Sequence, residues 1–212
     1  MFKIRPKNER GKTKLDWLDS SHTFSFADYY DAEHMGFSDL RVINDDIVAP
    51  KGGFGLHPHA NMEILSVVLS GSLEHKDSMG NISIIGAGDV QKMSAGTGIY
   101  HSEYNPSEEE PVHFLQIWIV PDTNNLKPVY EQKNFNLQHK LNKLVLIASK
   151  NGRQGSLKIN QNIEIYQTIV CESKSVTFNL DEMHKYWLQI ALGVVDIDSN
   201  ILEAGDGIAL VN

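Results

Sequence analysis

From Lys51 onward, short apolar runs alternate with turn signals at close and even spacing. Lys51-Gly-Gly53, Ser70-Gly71, Asp77-Ser-Met-Gly80, Gly86-Ala-Gly88-Asp89 and Ala95-Gly-Thr-Gly98 cut the middle of the chain into pieces too short for helices. Between them, Glu63 to Leu69 and Ile82 to Ile85 are rich in β-branched residues and predict strands. Val112 to Val120 is apolar at both parities, which predicts a strand covered on both faces. A polar, turn-forming stretch from Pro121 to Phe135 is the expected connection between domains. Beyond it the pattern restarts at Leu144 to Ile147, Leu157 to Ile159, Ile163 to Tyr166, Val176 to Phe178 and Trp187 to Leu192, a shorter echo of the first half. Only Leu15 to Ser20 suggests a helical turn. The expected fold is all-β, with two β-sandwich or jelly-roll barrels at residues 1–130 and 131–212.

Composition narrows the classes open to such a chain. Its 212 residues are 41% hydrophobic and 8% aromatic, enough to bury one large core or two small ones. A net charge of −8 argues against direct binding to nucleic acid. Cys171 stands alone, which removes an intramolecular disulfide and cysteine-rich zinc modules; it reads as a small buried residue of a reducing compartment. Residues 1–10 carry no apolar signal segment, and the apolar runs fall short of the roughly 20 residues of a membrane helix, so the expectation is a soluble cytoplasmic protein. One segment departs from the acidic average: Lys3, Arg5, Lys7, Arg10, Lys12 and Lys14 stand against Glu9 alone. Such a run is either a docking arm for an acidic partner or, the commoner device, a charged edge strand that resists edge-to-edge pairing.

The chemistry concentrates in two short motifs. In Gly55-Leu-His57-Pro-His59 the histidines lie two apart, so on an extended chain both rings face one side, with Cα atoms roughly 6.6–7 Å apart. His101-Ser-Glu103 repeats that spacing after a glycine loop that admits positive φ. The residues between His59 and His101 hold about four short strands, enough for the chain to travel round a barrel and return alongside. Three imidazoles and a carboxylate then converge, a ligand set that suits Fe, Mn, Co, Ni, Cu or Zn and is unlike a calcium site. The second half offers only His139 and His184, with no paired spacing, so one metal per chain is expected. His75 and His113 read as packed or hydrogen-bonded strand residues, and no ligand partner is visible for His22.

These residues also carry a resemblance. The segment from Gly53 to Asn105, with His57-Pro-His59, Glu63, Glu74-His-Lys-Asp-Ser-Met-Gly80, Gly86-Ala-Gly88-Asp89 and Met93 to Glu103, resembles the pirin family of bicupins. Trp17-Leu-Asp-Ser20, His22-Thr-Phe-Ser-Phe26, Leu40 to Asp46 and Pro128-Val-Tyr-Glu-Gln132 are similar to the bacterial pirins described as quercetinases. The usual second cupin motif is altered: Ser94-Ala-Gly96 is followed by four residues before His101 and then Asn105, as in the pirin variant. The resemblance implies a bicupin with one divalent transition metal, iron first among the choices, in the N-terminal barrel on His57, His59, His101 and Glu103. The C-terminal barrel would be shortened, with an edge left open or covered by a partner. The implied activity is metal-dependent cleavage of a flavonol such as quercetin by O₂ with release of CO, with a small aromatic substrate at the metal. Glu103 is the candidate proton acceptor and Glu63 the alternative, while Ile99, Leu65 and Val67 are the expected apolar lining. The alternative function is a non-enzymatic, metal-bound redox-sensing regulator that contacts a protein partner.

Overall fold

The computed structural model describes residues 2–210. Its strands are, in order, β1 (Phe2–Arg5), β2 (Gly11–Lys14), β3 (Leu18–His22), β4 (Leu40–Val48), β5 (Gly53–His59), β6 (Glu63–Ser70), β7 (Ser72–Asp77), β8 (Ile82–Gly86), β9 (Asp89–Ser94) and β10 (Ile99–Tyr104). They continue with β11 (Val112–Ile119), β12 (Val129–Asn134), β13 (Val145–Ser149), β14 (Leu157–Lys158), β15 (Glu164–Gln167), β16 (Tyr186–Gln189), β17 (Val194–Ile197), β18 (Asn200–Glu203) and β19 (Gly207–Leu210). A seven-stranded sheet runs β12-β9-β6-β11-β4-β3-β2 and a four-stranded sheet runs β5-β10-β7-β8. Leu73 and Ile85 of the smaller sheet pack on Leu18, Val48, Val68, Val112 and Phe114 of the larger one, so the two sheets face each other around the first barrel's core.

The larger sheet is covered on its other face as well. Leu65, Val67, Leu115 and Ile43 share a cluster with Ile147, Ala148, Leu157 and Ile159 of the second half. That double burial is why β6 and β11 are apolar at both parities. Three shorter sheets make up the rest, ordered β1-β19-β16, β14-β13-β15 and β17-β18. The N-terminal strand is thus part of the C-terminal barrel, with Phe2 opposite Leu210 and Arg5 opposite Gly207. The chain's position 130 falls inside β12, which pairs along its whole length with β9 of the first barrel.

Several expectations need correcting. Leu15 to Ser20 is no helical turn: Leu15 and Leu18 exchange backbone hydrogen bonds of 2.8 and 3.3 Å, closing a two-residue hairpin between β2 and β3. Val176 to Phe178 forms no strand, because no neighbouring segment offers it a ladder and its surroundings are exposed. The polar stretch before Phe135 contains β12, whose register is imposed by β9 rather than by its own hydrophobicity. Cys171 is exposed. Several basic residues of the N-terminal segment pair with acids of their own chain: Arg5 lies beside Asp31, the Lys7 ammonium on Glu203 and Arg10 on Asp45, while the Lys7 backbone N–H donates to Asp206. Its β2 is also the edge of the large sheet, the position the charged-edge reading anticipates. No helix among the described residues is long and apolar enough to cross a membrane.

Candidate metal centre

The centre begins with the pairing of β5 and β10. These strands run antiparallel with His57 opposite His101 and His59 opposite Ile99. The register then shifts, leaving Glu103 opposite Phe54, so β5 carries one extra residue near Gly55 and Leu56. Glycine is required close by, since a Cβ on Gly53 would lie 2.4 Å from the Glu103 carbonyl oxygen. At the other end the loop before β10 turns through Gly96 at φ 48°, where a Cβ would meet the Leu126 carbonyl at 2.0 Å. Four strands, β6 to β9, carry the chain from His59 round to His101.

Three imidazoles meet at the barrel mouth. Ring centroids are 4.4 Å apart for His57 and His101, 4.8 Å for His57 and His59, and 4.9 Å for His59 and His101. One ring nitrogen from each lies within 4.8 Å of the others. The His57 Nδ1–H donates to the Gly55 carbonyl at 2.7 Å, and because a carbonyl only accepts, the lone pair of this ring sits on Nε2. His101 is fully buried, and its Nε2 has no hydrogen-bond partner. An orphaned buried nitrogen facing two further imidazoles fits a bound divalent transition ion, which would supply the missing partner. Burial, reinforced by the like-charged rings alongside, pushes His101 down to about 3 and His59 down to about 4, so both are unprotonated at neutral pH.

Glu103 lies deeper. It is fully buried and accepts from Ser66 Oγ at 3.1 Å, Gln91 Nε2 at 3.4 Å and Gln116 Nε2 at 2.8 Å. Three donors from three strands hold its orientation, and Gln116 is itself held by the Trp118 indole N–H at 3.0 Å. Trp118 in turn stands edge-on to His59 at 4.9 Å. Glu103 groups with His101 and His75 rather than with His57 and His59. His75 is fully buried, stacked on Tyr130 at 4.7 Å, and hydrogen-bonded to Asp77. Burial alone would raise the Asp77 carboxyl, but hydrogen bonds from Asn81, His75 and the Met79 backbone hold it below the ordinary range.

Glu63 is occupied elsewhere. Its buried carboxylate accepts from Ser94 Oγ and from both the backbone N–H and the side-chain amide of Asn160, tying the first barrel to the second half. The expected lining divides: Ile99 packs with Ile64, Met93 and Trp118 beside the histidines, whereas Leu65 and Val67 face the core shared with the second half. Alternation on β6 therefore sends Ile64, Ser66 and Val68 inward, and Ser66 is the β6 residue that reaches Glu103. Ser66, Gln91, Gln116 and Asp77 escaped the sequence reading. The available signal was a polar residue interrupting an apolar strand, as Gln116 does between Leu115 and Ile117. His22, without a visible ligand partner, is buried and bonded to Asn44 Oδ1 at 2.8 Å.

Comparison with known proteins agrees with this architecture. The Pirin family model matches residues 3–119, and the model of the quercetinase C-terminal cupin domain matches residues 146–212. A quercetin 2,3-dioxygenase of Escherichia coli K12 is 47% identical over 211 residues, covering 99% of this chain and 90% of that protein. The crystal structure of the bacterial pirin YhhW from Escherichia coli in complex with nickel(II) superposes with a TM-score of 0.92 at 47% identity, covering all of this chain and 90% of that one. A quercetin 2,3-dioxygenase structure from Acinetobacter baumannii shares the fold, with a TM-score of 0.71 at 18% identity over 99% of this chain and 71% of that one. The chain belongs to the pirin family, a two-cupin all-β protein with its histidine cluster in the first cupin.

Proposed function

We propose that the chain is a metal-dependent dioxygenase of the quercetin 2,3-dioxygenase type, acting at the cluster of His57, His59 and His101. The observation that carries the reading is the unpartnered, buried His101 Nε2 facing two further imidazoles. The close similarity to a quercetin 2,3-dioxygenase along 99% of the chain supplies the substrate class, a flavonol with O₂. Iron is the metal we favour, with Mn, Co, Ni, Cu and Zn compatible with the same donors. A bound divalent ion acidifies a coordinated hydroxyl and offers sites for a chelating substrate and O₂. The chain's own residues do the rest. His57, with its Nδ1–H held by Gly55, presents Nε2 without rearrangement. Glu103, which shares a strand with His101 but groups with His101 and His75 rather than with His57 and His59, is the residue we assign as fourth donor and as acceptor of the substrate's hydroxyl proton; Ser66, Gln91 and Gln116 orient it. Ile99 and Trp118 give the mouth an apolar wall suited to a flat aromatic ring.

The test is optical. Protein loaded with iron or manganese should bleach the long-wavelength absorbance of quercetin under air and leave it unchanged without oxygen. A folded, metal-replete sample that turns over no flavonol in air returns the protein to the regulatory reading.

A further inference from the structure

A hydrogen-bonded chain of buried side chains runs from the histidine cluster along β7. Asp77 and His75 have fully buried side chains, and Asp77 Oδ2 lies 3.0 Å from His75 Nε2. The other nitrogen of that ring, His75 Nδ1, lies 3.4 Å from His101 Nδ1. Asp77 already accepts from the backbone N–H of Met79 and of Asn81 and from the Asn81 amide, the behaviour of a carboxylate. A carboxylate only accepts, so His75 Nε2 carries the hydrogen, and in the neutral ring the lone pair falls on Nδ1. His101 Nδ1 must then be the donor, and the lone pair of His101 falls on Nε2, the buried atom that has no partner within the protein. Tyr130, stacked on the His75 ring with 28° between planes, fixes that ring's plane.

We infer that Asp77 and His75 are positioning residues that lock His101 in the tautomer whose Nε2 binds the metal. This rests on the metal-centre reading above. It assigns His75 to hydrogen bonding, although His75, His101 and Glu103 also lie close enough together to suggest a second ion. Neutral imidazole ligands are commonly oriented in this way, and loss of the supporting partner typically costs about 10- to 100-fold in metal affinity.

The experiment combines nickel(II) competition against a chelator with long-range nitrogen–proton NMR of the histidine rings at neutral pH, on the full chain. His75→Phe keeps a ring for Tyr130 but offers no acceptor, and should weaken nickel retention about 10- to 100-fold. His75→Gln can still accept from His101 and donate to Asp77, and should retain nickel within a few-fold of the wild type. In metal-free wild type the His101 ring should show hydrogen on Nδ1, and in His75→Phe a mixture of tautomers. Wild-type His101 with hydrogen on Nε2, or two nickel ions per chain, overturns the inference, as does His75→Phe with wild-type affinity. If His75→Phe does not fold, the wild-type spectrum and His75→Gln decide it. Wild-type protein that retains no nickel removes the metal-centre reading itself, a distinct result.

Discussion

Replacing Asp46 with Asn should make stability respond less to pH, and the structure sets the size of the effect. Asp46 lies in β4 opposite Ser20 and Phe114, is 2% exposed, and has an Oδ1 with no hydrogen-bond partner. Burial pushes its carboxyl from 3.8 up to about 7; a hydrogen bond from Ser20 opposes this, and the neighbouring Asp45 and Glu103 add to it. Between those values the folded protein holds a proton that the unfolded chain has released. The contribution is therefore fully present below 3.8 and is lost as pH rises through about 7. Each pH unit in the window is worth about 1.4 kcal/mol, so from pH 5 to pH 8 Asp46 should cost the wild type about 3 kcal/mol that Asp46→Asn does not lose. For a chain of this size that is a relative shift of roughly 6–12 °C in Tm. Urea unfolding of both proteins at pH 5, 6, 7 and 8 measures it, with the histidine contributions cancelling in the difference. A stability difference that stays flat across this range would refute the assignment of a protonated buried acid.

The metal donors separate by substitution: Glu103→Ala should weaken nickel retention about as much as His101→Ala, roughly ten-fold or more, while Glu63→Ala keeps the metal. Chelator competition on the three variants tests this, and metal loss in Glu63→Ala with retention in Glu103→Ala reverses the assignment. Glu63→Ala should instead destabilise the fold by about 2–4 kcal/mol in denaturant, because it strands the Asn160 and Ser94 donors in a buried site. Leu65→Ala, in the core shared by the two halves, should cost about 2–5 kcal/mol and leave nickel retention unchanged. In metal-free protein His59 and His101 are held below 6.5 when folded, so the unfolded chain takes up protons first. Their share of stability is present above pH 6.5 and is lost as pH falls through about 4 for His59 and about 3 for His101, an acid limb that calorimetry should find shallower in His101→Phe.

Features that depend on near neighbours along the chain are legible in its residues alone. Spacing of two between His57 and His59, and between His101 and Glu103, sets each pair on one face of its strand, and the structure shows both pairs so placed. Glycines at 96 and 98 mark the loop that turns the chain into β10, β-branched runs mark β6 and β8, and a run apolar at both parities marks β11. Other features were settled only when strands distant in sequence met. A period of two says which residues share a face and is silent on which face, and in a strand buried on both sides hydrophobicity does not choose. Leu65 and Val67, expected in the lining, therefore face the core shared with the second half, and it is Ser66 that reaches Glu103. The cage around Glu103 needs β6, β9 and β11 in register, and the hold on Glu63 comes from Asn160, across 97 positions of chain. No local pattern encodes such contacts, because a buried polar side chain is matched by whichever donor the folded barrel brings opposite it.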